Sequence, residues 1–219
     1  DSQGGSATFV SSNLDFSGET SLQNLVASGD IARSVKVTRG SETYGIIGAT
    51  TTDLDIVSNP GNVIANPVLA AIQGEVSALQ ADGVNKIILS SHLQNLGNEL
   101  ALVSQLNGVD VVIAGGGDEL LINTDNARNT VAEATGPYPR VVQDADGKNV
   151  AVVTTVGEYF YVGELDVEFD ANGDVINVSG EPVVVDKSAV APDATVQATV
   201  IDPLNTALDA ARSTVIATT

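Results

Sequence analysis

The chain has a single histidine, His92, which ends the apolar run KIILSSH. A second apolar run, Val111-Val112-Ile113-Ala114, stops at Gly115, Gly116 and Gly117 and is followed at once by Asp118 and Glu119. Imidazole nitrogens and carboxylate oxygens are donors for divalent cations, so His92, Asp118 and Glu119 are candidate metal ligands. Two other readings of the glycines stay open. One is a phosphate cradle, although GGGDE has neither the Lys-Ser/Thr of a P-loop nor the spacing of GxGxxG, and its carboxylates repel an anion. The other is a plain turn in which glycine supplies positive φ.

Further constellations carry less. Ser90 and Ser91 adjoin His92, but no GxSxG elbow occurs, so a Ser-His-Asp hydrolase fits poorly and no catalytic nucleophile is assigned. Asp170-Ala171-Asn172-Gly173-Asp174 lacks the sixth-position Gly and twelfth-position Glu of a calcium loop and is expected to be a hairpin turn. Tyr159-Phe160-Tyr161 is expected to pack in the core or at an edge.

The candidate ligands depend on the elements that carry them. Unbroken apolar runs such as KIILSS and VDVVIA are the pattern of strands buried on both faces. Asn98 to Leu106, with Leu100, Val103 and Leu106 apolar, is expected to form a helix between them. Strand, helix and strand in that order favour parallel pairing, which brings both strand ends to one edge. Upstream, ATFVSSNLDF (7–16) reads as a strand, Ser21 to Ala27 as a short helix or turn, and Ser34–Thr38 and Tyr44–Ala49 as a hairpin. Residues 66–81 read as an amphipathic helix, capped by Asn66, with Pro67 in its first turn and Gly83 ending it. Downstream, strand pairs around Asp146-Gly147 and Asn172-Gly173 suggest an antiparallel meander. After a loop over 186–196, helical spacing runs from Thr199 to Val215.

At 219 residues and 43% hydrophobic, the chain can bury one substantial core. The net charge of −19 disfavours nucleic acid and anionic lipid as partners. No apolar stretch approaches the roughly 20 residues that span a bilayer. Without cysteine there is no disulfide or thiolate ligand. Without methionine, and with Asp at position 1, the chain is expected to be a piece of a longer precursor.

Taken in order, SNLDFSG, YGIIGATT, KIILSSHLQNLGNELALVSQLNGVDVVIAGGGDELL, YPRVVQDADGKNVAVVTTVGEYFYVGELDVEFDANGDV and the closing helix resemble the calcineurin-like metallophosphoesterases, in the branch of secreted 5′-nucleotidases. The resemblance covers nearly the whole chain. It implies an α/β fold, a layered α-β-β-α sandwich with mixed parallel and antiparallel strands, here incomplete. It also implies a two-metal hydrolase of phosphate esters. Residues 1–198 would be the C-terminal half of that domain, and residues 199–219 a connector helix. His92 would be a metal ligand. Gly116 stands where the family's Gly-His-x-His has its first His, and Asp118 stands where it has the second, with Glu119 beside it. The family's D-x-H, G-D and G-N-H-E/D segments have no counterpart here.

Two functions follow as expectations. The first is a fragment of a metal-dependent, 5′-nucleotidase-like phosphoesterase, inactive or nearly so alone. It would take a phosphate ester or nucleotide and use Mn, Zn, Ca or Mg. The second is a non-catalytic acidic module that binds a cation or nucleotide on a vestigial fold. An extracellular or periplasmic location and a homodimer through an exposed sheet edge are expected with either.

Overall fold

The computed structural model describes residues 7–186 and 188–213. DSQGGS (1–6) and VIATT (215–219) therefore lie outside the described residues. The chain divides into two compact units, 1–184 and 185–219.

In the first unit the elements run β1 (Phe9–Val10), β2 (Leu14–Asp15), α1 (Thr20–Ser28), β3 (Ile31–Ala32), β4 (Ser34–Arg39), β5 (Glu42–Thr50), α2 (Leu54–Val57), β6 (Ile64–Ala65), α3 (Val68–Ala81), β7 (Ile87–His92), α4 (Leu96–Val103) and β8 (Val111–Gly115). After a 3-10 turn (Val131–Glu133) come β9 (Arg140–Gln143), β10 (Asn149–Val153), β11 (Tyr161–Phe169) and β12 (Val175–Val184). Six strands form one mixed sheet in the order β4-β5-β7-β8-β10-β9. Its centre is parallel, β5 to β7 to β8 to β10, and each edge is closed by an antiparallel partner. The mixed α/β expectation is met, and the second layer is the two-stranded antiparallel ribbon β11–β12.

Strand alternation sorts the central sheet into two faces. Ile47, Ile87, Leu89, Val112, Val150 and Val152 join Ile72, Val76 and Leu79 of α3 and Leu102 and Val103 of α4 in the main core, where they are buried. Full burial of one such side chain stabilises the fold by roughly 1.5–3 kcal/mol. The other face, with Ile88, Val111, Ile113 and Val153, meets Leu165 and Val167 of the ribbon around an open cavity of about 880 Å³. Ile113 in a central strand is consequently 49% exposed.

Several boundaries differ from the sequence expectation. Residues 7–16 do not form one strand. The chain breaks between β1 and β2 because buried Asn13 turns inward, donating from Nδ2 to Thr50 O (2.8 Å) and Asn66 O (3.0 Å) and accepting Thr50 N–H (2.9 Å). With Asn66 held there, α3 has no side-chain cap, and Pro67 is the residue before its first turn. Gly83 does end it, at φ 81°. Helix α4 begins earlier than Asn98, at Leu96, because Asn95 Oδ1 accepts the Gly97 N–H (2.8 Å). The downstream half is not one meander. The hairpin β9–β10 joins the main sheet by parallel pairing of β10 with β8, and β11–β12 stands apart from that sheet. The turn at 170–174 is a hairpin turn, with Asp170 Oδ1 accepting the N–H groups of Asn172 (2.8 Å) and Asp174 (2.9 Å).

In the second unit Asp193 Oδ1 caps a helical segment, accepting from the N–H of Thr195 (2.8 Å) and Val196 (2.9 Å). α5 (Ala194–Val196), a π-type stretch (Gln197–Ile201) and α6 (Asp202–Arg212) follow without interruption. The widened turn lies just before Pro203, whose missing N–H cannot return to Thr199.

Candidate functional site

β7 and β8 run parallel, with His92 opposite Gly115, so both strands deliver their last residues to the same sheet edge. Open α/β sheets place ligands beyond such carboxyl ends. The His92 carbonyl accepts the Thr51 N–H (2.9 Å), which ties that end to β5 as well. Side chains alternate along β7: Ser91 is buried, while His92 is exposed on the rim. The imidazole lies against the glycines. A Cβ on Gly116 would stand 2.7 Å from His92 Cδ2 and 2.8 Å from Nε2, and one on Gly115 would stand 3.7 Å from Nδ1. Gly116 also has φ 89°, which glycine adopts without penalty. The glycines thus do two things: they bend the chain and leave room for the ring.

Asp118 is exposed two residues further on and lies beside the loop after β10, where a Cβ on Gly157 would be 3.2 Å from Asp118 Oδ1. Glu119 points elsewhere. Its Oε1 accepts the Leu96 N–H at the start of α4 (3.0 Å), and its Oε2 is buried with no hydrogen-bond partner. The structure therefore puts His92 and Asp118 on one rim and turns Glu119 toward the helix behind it. Among the described residues no three His, Cys, Asp or Glu side chains converge as a metal-binding group. The donors fit a divalent cation in kind, imidazole nitrogen with carboxylate oxygen, but in number they make only part of a ligand set.

Three buried carboxylates, Glu99, Asp110 and Asp144, escaped the sequence reading. Glu99 in α4 is wholly buried, and its Oε1 accepts from Ser91 Oγ (3.0 Å) and the Leu93 N–H (3.1 Å). Burial pushes its carboxyl above the usual range, the Ser91 hydrogen bond works against that, and the Glu119 charge adds a little. The signal was its position, three residues after Leu96 and three before Leu102 on an inward helix face. Asp110 lies at the opposite end of β8, where Oδ2 accepts the Ile87 N–H (2.7 Å). Burial pushes its carboxyl up to about 7. The aromatic cluster splits: Tyr161 is buried and its hydroxyl donates to Asn129 Oδ1 (2.6 Å), whereas Tyr159 is 94% exposed on the cavity's rim.

No family model matches the chain. The mouse (Mus musculus) 5′-nucleotidase is 36% identical over 160 residues, which are 73% of this chain and 27% of that protein. The crystal structure of a 5′-nucleotidase precursor from Thermus thermophilus is similar at a TM-score of 0.83 and 35% identity, over 96% of this chain and 40% of that one. The calcineurin-like phosphoesterase YfkN from Bacillus subtilis shares the fold, with a TM-score of 0.64 at 16% identity over 94% of this chain and 64% of that one. The chain spans about a quarter of the length of the curated relatives it matches. By these similarities the chain belongs to the 5′-nucleotidase family, and it shares the fold of a calcineurin-like phosphoesterase.

Proposed function

We propose that this chain is one part of a metal-dependent, 5′-nucleotidase-like phosphoesterase and that His92 and Asp118 enter its metal ligand set. The observation that carries this reading is the His92 ring seated over Gly115 and Gly116 at the edge shared by β7 and β8, two residues before Asp118. Glu119 stands behind the rim and braces α4 through Leu96. The remaining ligands lie in sequence outside these 219 residues, a reading supported by the quarter share of the relatives that the chain spans. The open sheet face at Ile113 supports it too, since a complete domain would cover an apolar central strand.

When bound, divalent metal in such a site polarises a phosphate ester and activates water. The substrate class is a phosphate monoester, with nucleotides foremost, and Mn, Zn, Ca and Mg all suit the donors. The second unit would act as a connector to a further domain, and the setting would be extracellular or periplasmic. The edges of the main sheet at β4 and β9 offer a route to a homodimer.

A second reading, an acidic cation- or nucleotide-binding module without turnover, is favoured by Gly116, which puts no side-chain ligand where the family's pattern has a histidine. Phosphate release from AMP and p-nitrophenyl phosphate, with added Mn²⁺, Zn²⁺ or Ca²⁺, tests the primary reading. No turnover above the metal-only control is expected from this chain alone. Metal-dependent turnover that disappears in Asp118→Ala would overturn the claim that the site is partial.

A further inference from the structure

The β7–α4 turn that carries His92 is held from inside the core by one carboxylate. Glu99 occupies the inward face of α4 among Leu96, Leu102 and Val103, all buried. An apolar residue would fill that place more favourably, because a carboxylate loses its water there. What Glu99 gains is specific. Its Oε1 accepts from Ser91 Oγ (3.0 Å) and from the Leu93 N–H (3.1 Å), which belong to the residues immediately before and after His92. The Leu93 carbonyl is held in turn by Asn98 Nδ2 (2.8 Å), one residue before Glu99 in the same helix. The His92 carbonyl is held by the Thr51 N–H (2.9 Å).

We propose that Glu99 is the positioning residue of His92, holding the Ser91 side chain before it and the Leu93 backbone N–H after it so that the imidazole rests on Gly115 and Gly116 with only its side-chain torsions free. The metal purpose of that arrangement rests on the function proposed above. The fixation itself does not. With both flanks pinned, rotation about two side-chain bonds sets the nitrogen positions, and the glycine surface limits that rotation. A ligand placed this way keeps its order before any ion arrives. Groups that orient a ligand without touching the metal commonly change its affinity by about 10–100-fold when removed.

As the chain's single histidine, His92 gives one resolved pair of imidazole signals in a proton–carbon NMR spectrum. In Glu99→Ala the metal-free pair is expected to broaden or move toward the position of an unstructured histidine. Glu99→Gln, whose amide oxygen still accepts both bonds, is expected to keep the parent signals. Where Glu99→Ala does not fold, Glu99→Asp carries the test, since its shorter side chain cannot serve both donors. Leu102→Ala, which weakens the same helix face without touching the turn, controls for general loosening.

Unmoved signals in both Glu99→Ala and Glu99→Asp, or an equal shift in Leu102→Ala, would overturn the proposal. Titration with Mn²⁺ separates the two claims. Parent signals that do not respond to the ion overturn the metal reading alone, while the metal-free spectra still decide whether Glu99 fixes the ring. If the parent responds, a midpoint raised about 10–100-fold in Glu99→Ala and restored in Glu99→Gln supports both.

Discussion

The His92 imidazole fills the volume that a side chain on Gly116 would need, since a Cβ there would stand 2.7 Å from Cδ2 and 2.8 Å from Nε2. Histidine and glycine are thus coupled across adjacent strands, and the Gly116 φ of 89° adds a second reason for glycine. Gly116→Ala is expected to cost about 1–2 kcal/mol from the left-handed backbone alone and to move the ring. Denaturant unfolding and the His92 imidazole signals check the two effects separately. An alanine variant of unchanged stability and spectrum would remove the coupling.

Glu158 and Tyr159 are consecutive non-glycine residues at φ 67° and 57°, and Tyr159 is 94% exposed. Little burial is lost if Tyr159 is cut back, while glycine relieves the backbone. Tyr159→Gly is expected to stabilise the chain by about 1 kcal/mol, seen as a higher denaturation midpoint at an unchanged slope.

Asp110 sets a pH dependence of a definite sign. Burial is the main cause of its rise from an ordinary 3.8 to about 7; the Ile87 N–H opposes it, the Asp174 charge raises it further, Lys148 counters and Asp144 adds. Its proton binds more tightly in the folded than in the unfolded chain. Its contribution to stability is therefore complete below about pH 4 and is lost as pH rises through about 7. Asp110→Asn keeps an acceptor for Ile87 and has no proton to lose. Between pH 5 and pH 8 the variant is expected to gain on the parent by a few kcal/mol, at about 1.4 kcal/mol per tenfold change in proton affinity. Urea unfolding of both proteins at the two pH values measures it, and a constant difference would contradict the assignment.

The almost wholly buried Asn13 side chain makes four hydrogen bonds, one of them accepted from Ser11 Oγ (3.4 Å). Asn13→Ala leaves the Thr50 N–H without its acceptor and the Thr50 and Asn66 carbonyls without their shared donor. A loss of about 2–4 kcal/mol is expected, at roughly 1–3 kcal/mol for each buried group left unsatisfied after partial relaxation. Thermal unfolding of the variant gives the figure.

The strand ends that carry His92 and Asp118 were legible because an unbroken apolar run leaves few alternatives to a buried parallel strand, and a polar residue after it falls on the rim. Other features depend on partners distant in sequence. The break at Ser11–Asn13 follows from hydrogen bonds to Thr50 and Asn66, which no local pattern in ATFVSSNLDF reveals. Asn95 and Asn98 are both capping residue types, and only the hydrogen bond from Gly97 picks out Asn95 as the cap of α4. The Asp146-Gly147 turn announced β9 and β10 but not that β10 would lie parallel to β8. Glu99 shows helix spacing and a charge, and its burial becomes visible only where α4 meets β7. At the site itself, neighbouring carboxylates parted company: Asp118 stays on the rim while Glu119 turns to Leu96.

The central proposal, that His92 and Asp118 both enter the metal ligand set, is tested most directly by titrating Mn²⁺ into this chain and into Asp118→Ala while following the His92 imidazole signals. Saturable broadening in the parent and a clearly weaker response in the variant is the expected result. No broadening in the parent, or identical curves for both, would contradict the claim.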